Sequence, residues 1–342
     1  MGTVCSPDLP AHGASGRIRA MSHLPLVGPD MLQHLEELIR IDPACRGLIS
    51  SEPRWGPLAS GHLGRACLDL SHRARRVVLV TGFFIPSGDP PAAETDGPLG
   101  TTLLAEVLLG AGVEVELLTD RWCAPALRIC AESTGLPAEI VQECQFPANP
   151  EESATVFDDW ECDFTDRATR LGVTHLVAIE RVGPSHTRES VRRQSGDDEE
   201  VLREFDRRVH PSEEGHCHNM RGVAIDQYSA PLHRLFEHWP EQIPGLRTIG
   251  VGDGANEIGM GSLRWDDLTR RLSGDHAGRV PCRVGCTWTV VCGVSNWGGY
   301  ALAAGFAHDR GRIDLLRRHT AESQQSVLVE LVRNGQIGRA HV

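Results

Sequence analysis

Short apolar segments alternate with helical patterns along most of the chain, and this alternation constrains the fold more than any other feature. The first clear segment, residues 77–82, is a continuous apolar run that ends at a glycine, as expected for a strand buried on both faces. Further strands are predicted at 113–120, 139–144, 174–180, 247–251 and 289–292, with helical patterns between them. This order predicts an α/β fold with a doubly wound, largely parallel, Rossmann-like sheet and helices on both faces.

One α/β domain is predicted over residues 29–335, flanked by two segments of different character. Residues 1–28 are rich in Gly, Pro, Ser and His without periodicity, which predicts a disordered leader. Residues 337–342 match the translation of a common sequencing adapter, so 336–342 are predicted to be a non-native tail. The domain is therefore expected to be cut short at its carboxyl end.

Charge and composition exclude several classes of function. The chain has no lysine, and its 34 arginines face 46 acidic residues for a net charge of −12. This charge argues against a nucleic-acid partner. No apolar run approaches the roughly 18–20 residues of a membrane span, which argues against a membrane partner. Without lysine, Schiff-base, pyridoxal-phosphate and P-loop chemistry are excluded, so no organic cofactor is expected.

The cysteines indicate a reducing compartment. There are eleven, an odd number, without a C-x-x-C pair, which favours free thiols and a cytoplasmic location, or the mitochondrial matrix in a eukaryote. Cys282, Cys286 and Cys292 with His276 could form a zinc site. Buried small residues beside a strand explain this spacing better.

Polar residues follow the predicted strands, at the edge where ligands bind in such sheets. Glu94 and Asp96 lie in a long, proline-rich loop after the first strand. Glu180 and Arg181 end the strand at 174–180. Arg181 suits binding of a substrate carboxylate, with a structural ion pair as the alternative.

Two further polar segments lie near predicted helix starts. Asn219 and Arg221 are at a loop-to-helix entry, preceded by a histidine pair that is more typical of an ordinary loop than of a metal site. Ser295 and Asn296 end the last predicted strand with a hydroxyl and an amide that can bind a ligand, and the alternative is an ordinary polar turn before the next helix. These side chains can donate hydrogen bonds to a ligand.

The strongest local motif is the glycine-rich segment 250–261, predicted to follow a strand and open a helix whose N–H groups face the site. Asp253 and Glu257, four residues apart, are the best candidates for binding a divalent cation such as Mg²⁺, unless Asp253 only caps the helix. A dinucleotide site is disfavoured because Asp253 would face the pyrophosphate. The loop also resembles that of haloacid-dehalogenase phosphatases, but the Asp-x-Asp-x-Thr motif of that family is absent.

Together these segments resemble the C-terminal domain of the D-glutamate cyclase family, in family order across roughly residues 30–335. The resemblance implies a lyase that converts D-glutamate to 5-oxo-D-proline and water, with a small amino acid as its partner. The alternatives are a non-catalytic amino-acid sensor and a metal-dependent phosphatase. The matching segments are Thr-Gly-Phe at 81–83, Glu-Thr-Asp-Gly-Pro at 94–98, Thr-Asp at 119–120, Glu-Arg-Val-Gly at 180–183, Asn-Met-Arg-Gly at 219–222, the loop 250–261 and Ser-Asn-Trp-Gly-Gly-Tyr at 295–300.

Cyclisation of glutamate requires a base for the amine, a group that polarises the side-chain carboxyl, and a cation for the α-carboxylate. The acids and arginines of these loops can supply all three. The predicted catalytic residues are Asp253, Glu257, Asp96 and Glu94. The predicted substrate-binding residues are Arg181, Glu180, Asn219, Arg221, Gly252, Gly254, Asn256 and Asn296.

Overall fold

Six parallel strands form the central sheet in the computed structural model, which describes residues 29–146 and 150–336. The strands in chain order are β1 (Arg76–Thr81), β2 (Phe84–Ile85), β3 (Ala92–Ala93), β4 (Glu114–Thr119), β5 (Val141–Glu143), β6 (His175–Ile179), β7 (Arg247–Gly252) and β8 (Trp288–Val291). The sheet order is β5-β4-β1-β6-β7-β8, and β2 and β3 form a separate antiparallel hairpin. The six predicted sheet strands are confirmed, with ends shifted by at most two residues.

The direction in which strands are added reverses between β1 and β6. The chain moves outward from β1 through β4 to β5, returns to β6 beside β1, and then moves outward through β7 to β8. Loops after β1 and β6 therefore leave the sheet on opposite sides and open a crevice at its carboxyl edge. The fold thus favours a ligand site at this edge.

Twelve α-helices and four 3-10 turns surround the sheet in the described part of the chain. No helix among these residues is long and apolar enough to cross a membrane. The predicted leader, 1–28, and residues 337–342 of the predicted tail lie outside the described residues. The helices are α1 (Pro29–Leu38), α2 (Glu52–Trp55), α3 (His62–Arg73), α4 (Pro98–Gly110), α5 (Ala124–Ser133), α6 (Pro150–Leu171), α7 (Arg188–Ser195), α8 (Glu199–Arg208), α9 (His233–Gln242), α10 (Trp265–Thr269), α11 (Ser295–Asp309) and α12 (Ala321–Arg333), and the 3-10 turns are Ala138–Ile140, Pro211–Glu213, Asp226–Tyr228 and Ile313–Leu316.

Successive residues of β1 enter two separate cores. In β1, Val77 and Leu79 pack on one face with residues of α3, α4 and α11. Val78 and Val80 pack on the other face with residues of α6 and α9. Both faces are covered because neighbouring side chains of a strand point in opposite directions, and this confirms the doubly wound α/β class.

The helices α4 and α11 contact each other through glycine backbones. A Cβ built on Gly100 would lie 2.8 Å from the carbonyl oxygen of Asn296, and one on Gly299 would lie 2.8 Å from the Cα of Gly100. No side chain fits between the helices at this point. The contact therefore fixes the start of α11 next to the loop that precedes α4.

We expect Gly100→Ala to lower the free energy of unfolding by about 1–3 kcal/mol, because the added methyl must push α4 and α11 apart. Gly64 in α3 is the matched control, since a Cβ there would lie 3.6 Å from Leu32 Cβ, an ordinary contact. Gly64→Ala should be neutral or stabilise by about 0.5–1 kcal/mol. Chemical denaturation compares the two, and equal stability of both variants would contradict this packing.

The prediction that a helix begins within segment 250–261 is wrong. The Ile258 N–H donates to Arg181 O and the Gly259 N–H to Val284 O, so these donors bond other segments instead of the preceding turn. Ala255 has a φ of +77° and Gly259 one of +108°, both outside the helical region. Asp253 therefore caps no helix here, and residues after β7 form an open loop against the sheet edge.

Candidate functional site

Five acidic side chains converge at the carboxyl edge of the sheet, beside the point where the strand order reverses. They come from the loop after β1, the end of β6 and the loop after β7, and each is at most 4% exposed. We call them the carboxylate cluster: Glu94, Asp96, Glu180, Asp253 and Glu257. The structure thus brings together the four predicted catalytic acids and Glu180.

The N-terminus of α11 holds two members of the cluster. The Ser295 N–H donates to Asp96 Oδ2 at 3.0 Å, and the Asn296 N–H donates to Asp96 Oδ1 at 2.6 Å. The Ser295 hydroxyl donates to Glu180 Oε2. Negative charge is stabilised at a helix N-terminus, so the position of these carboxyls depends on the start of α11.

Glu180 combines an unusual backbone conformation with a perturbed carboxyl. Its φ is +49°, in the left-handed region that costs a residue with a side chain energy and is often found at functional sites. Burial raises the pKa of Glu180 well above its ordinary value, and the nearby charges of Glu257, Asp96 and Glu94 raise it further. Glu180 therefore favours a proton or a bound cation over a bare negative charge.

The loop after β7 is folded around Glu257. Its Oε1 accepts the N–H of Asp253 at 3.1 Å and of Gly254 at 2.7 Å. Burial raises the pKa of Glu257 even though Arg46 and hydrogen bonds from backbone N–H groups, that of Gly254 among them, oppose the shift. A Cβ on Gly252 would lie 2.6 Å from Glu257 Oε2, so glycine is needed there for the carboxyl to approach.

Arg46 is a functional candidate that sequence reasoning missed. It follows α1 and forms an ion pair with Oδ1 of Asp253, whose side chain is 1% exposed. The site therefore contains a positively charged guanidinium group as well as carboxyl groups. No pattern around residue 46 indicates a site, because Arg46 reaches the cluster only through the folding of the segment between α1 and α2.

A small pocket opens above the cluster. Its volume is about 150 Å³, below the roughly 300–1,000 Å³ of sites for drug-sized ligands, so it suits a small metabolite. Two acids and two arginines line it, together with aromatic and apolar side chains. The lining residues are Arg46, Phe83, Phe84, Ile85, Ser87, Glu94, Glu180, Asn219, Met220, Arg221 and Asn256.

Arg181 does not line this pocket, which corrects the prediction that it contacts a substrate carboxylate. Its guanidinium is 1% exposed and forms an ion pair with Asp120 Oδ2 at 2.6 Å. It also donates to Gly82 O at 3.0 Å and to Ala230 O at 2.7 Å. The alternative of a structural ion pair therefore holds, with Asp120 as the partner.

The Asn296 side chain, like that of Arg181, forms hydrogen bonds within the protein. Its Oδ1 accepts the N–H groups of Gly97 and Gly100, and its Nδ2 donates to Thr95 O at 3.0 Å. The alternative of an ordinary polar turn is wrong, because residues from Ser295 onward already belong to α11. Asn296 thus clamps α11 to the loop after β1, and its role in substrate binding stays a prediction.

The remaining predicted residues shape the pocket. Asn256 donates from Nδ2 to His218 O at 2.8 Å. Asn219 Oδ1 accepts the N–H groups of Arg221 and Val223, which closes a tight turn. This turn presents the exposed Arg221 side chain at the mouth of the pocket.

A wider cleft of about 600 Å³ lies between α1 and α3. Of the two arginines that line it, Arg40 is held by ion pairs to Glu36 and Glu52. The cleft is away from the strand ends and contains no member of the carboxylate cluster. We therefore place the functional site in the smaller pocket.

Among the described residues, one group of side chains has the spacing to hold a metal ion. It consists of Asp96, Glu180 and Asp253, whose ligand atoms lie within 4.8 Å of one another. Of the pair predicted for a cation, Asp253 belongs to this group and Glu257 lies beside it. In the described part of the chain, the cysteines between Cys282 and Cys292 belong to no group with the spacing of a metal site, so the zinc alternative has no support.

Comparison with known proteins gives two matches. The sequence model of a family described as D-glutamate cyclase-like, C-terminal, matches residues 35–206 and 207–341. A human protein named D-glutamate cyclase, mitochondrial, is 31% identical over 275 residues, which cover 80% of this chain. The matched region spans 38% of the length of that human protein.

Proposed function

This chain belongs to the D-glutamate cyclase-like family, and on that premise we propose that it is a lyase that converts D-glutamate to 5-oxo-D-proline and water. The observation that carries the proposal is the small pocket that Glu94 and Glu180 line together with Arg46 and Arg221. A substrate with one ammonium and two carboxylate groups is complementary to this arrangement.

The reaction balances within the substrate. The amine nitrogen attacks the side-chain carboxyl carbon, a C–N bond forms, and one C–O bond breaks. Two of the three ammonium protons leave with the departing oxygen as water. The reaction therefore needs no external proton or electron, only groups that carry protons from nitrogen to oxygen.

We assign the proton transfer to Glu94 and the positioning of substrate charge to the two arginines. Glu94 lines the pocket and can accept a proton from the ammonium group. Arg221, exposed at the pocket mouth, binds the α-carboxylate. Arg46, anchored by Asp253, lies deeper and polarises the side-chain carboxyl at the cluster.

The purified chain should convert D-glutamate to 5-oxo-D-proline, detected by chiral chromatography, with L-glutamate as the matched control. We expect product from the D enantiomer well above the uncatalysed rate and much less from the L enantiomer. Tight binding of D-glutamate without product would instead support an amino-acid sensor. Absence of both binding and product would contradict the proposal altogether.

We also propose that the protein works in a reducing compartment, the cytoplasm or a mitochondrial matrix. The ten cysteines of the described residues are free thiols, and most of them are buried. Burial raises the pKa of the Cys217 thiol to about 12, so this group stays protonated. Such cysteines act as small core residues.

A further inference from the structure

We propose that Asp96, Glu180 and Asp253 together bind one divalent cation of the Mg²⁺ or Mn²⁺ class at the floor of the pocket. The three carboxylates come from three different segments that meet at the carboxyl edge of the sheet. Binding of the cation stands on the geometry alone. Its use in catalysis rests on the proposed function.

The spacing of the oxygen atoms fits a single ion. One carboxylate oxygen from each residue lies within 4.8 Å of the other two. Two oxygens on opposite sides of Mg²⁺ are about 4.2 Å apart, and around Ca²⁺ about 5 Å apart. Small rotations of the carboxyl groups therefore suffice to bring all three into one coordination sphere.

Buried oxygens without hydrogen bonds provide independent support. Asp253 Oδ2 and Glu257 Oε2 accept no hydrogen bond from the described residues, and both residues are at least 97% buried. A buried carboxylate oxygen without a partner is costly, because nothing replaces the water it has lost. Asp253 is itself a member of the metal-spaced group, and Glu257 belongs to the same buried carboxylate cluster.

The other contacts of these residues orient them as ligands. Backbone N–H groups at the start of α11 hold both oxygens of Asp96, and the Ser295 hydroxyl holds Glu180. Asp96 Oδ1 accepts a second hydrogen bond, from the Gly97 N–H, whereas Asp96 Oδ2 and Glu180 Oε2 each accept one and keep a further lone pair for a metal ion. Hydrogen bonds of this kind fix the orientation of ligands at metal sites.

The charge of the cluster also favours a cation. The cluster contains five buried carboxyls, and Arg46 forms an ion pair with one of them, Asp253. An all-oxygen set selects hard ions such as Mg²⁺, Mn²⁺ or Ca²⁺ over zinc. Three protein ligands leave positions for water and for a substrate carboxylate oxygen, which the ion would polarise.

Titration of the EDTA-treated full chain with Mn²⁺, followed by electron paramagnetic resonance, tests the binding. We expect one saturable site, competed by Mg²⁺, and a higher melting temperature with the ion than without it. Asp96→Asn, Glu180→Gln and Asp253→Asn should each weaken Mn²⁺ binding at least about tenfold. Glu161→Gln is the control, since Glu161 is a 6% exposed acid of α6 outside the cluster.

Absence of a saturable Mn²⁺ site in the wild type would overturn the proposal, as would unchanged affinity in the three cluster variants. If a variant unfolds, the other two and the melting shift of the wild type still decide the question. The readout separates this inference from the proposed function. If the chain binds Mn²⁺ but does not convert D-glutamate, the metal site stands and the proposed lyase function is wrong. If it converts D-glutamate in EDTA and binds no Mn²⁺, the lyase function stands and the metal site is wrong.

Discussion

Replacing Arg181 by methionine should lower the free energy of unfolding by about 3–5 kcal/mol. The ion pair between Arg181 and Asp120 is almost fully buried, with side chains 1% and 0% exposed. Without the guanidinium, a buried carboxylate loses its counter-charge, and the carbonyls of Gly82 and Ala230 lose a donor. Urea denaturation followed by circular dichroism measures the loss.

A double variant separates charge from packing. Asp120→Asn combined with Arg181→Met should cost less than the sum of the two single changes, because no unpaired charge is then buried. Arg128→Met is the surface control, since its ion pair with Glu143 is about 40% exposed and should hardly matter. A stable Arg181→Met protein with weaker D-glutamate binding would instead return Arg181 to the substrate site.

Asp253→Asn should reduce the kcat for D-glutamate by about 100- to 1000-fold while the fold is kept. The substitution preserves the size of the side chain but removes the charge that holds Arg46 and a carboxylate oxygen of the metal-spaced group. Because no helix starts at Asp253, loss of a helix cap cannot explain such an effect. Steady-state kinetics with circular dichroism on the same samples gives both quantities.

The control for this variant is Glu161→Gln, which neutralises a buried acid that pairs with Arg234 and His238, none of which lines the pocket. Its kcat should stay near that of the wild type. A folded Asp253→Asn protein with a normal kcat would show that the carboxylate cluster does not act in the reaction.

The sheet could be predicted because each strand carries its own signal. Residues 77–80 are apolar on both faces, and Gly82 ends the run, so local sequence alone indicates a buried parallel strand. The parallel sheet in turn predicts that Asp96, Glu180 and Asp253 meet at one edge. The structure places them within ion-binding distance of one another.

Contacts between distant segments could not be predicted. The glycine-rich sequence after β7 is compatible with a helix, yet its N–H groups bond Arg181 O and Val284 O, from segments remote in sequence. In the same way, Arg181 is paired by Asp120 from the end of β4, and Arg46 reaches Asp253 from about 200 residues away. Periodicity and motifs describe neighbours in sequence, so they do not reveal which partner a buried charge finds.

D-glutamate labelled with ¹⁸O at both oxygens of its side-chain carboxylate tests the central claim most directly. If this chain catalyses loss of water from that carboxylate, mass spectrometry should show 5-oxo-D-proline that carries one of the two labels. The labelled lactam should form far faster with the wild type than with Asp253→Asn. If it forms no faster with the folded protein than in buffer alone, the chain is not a D-glutamate lyase.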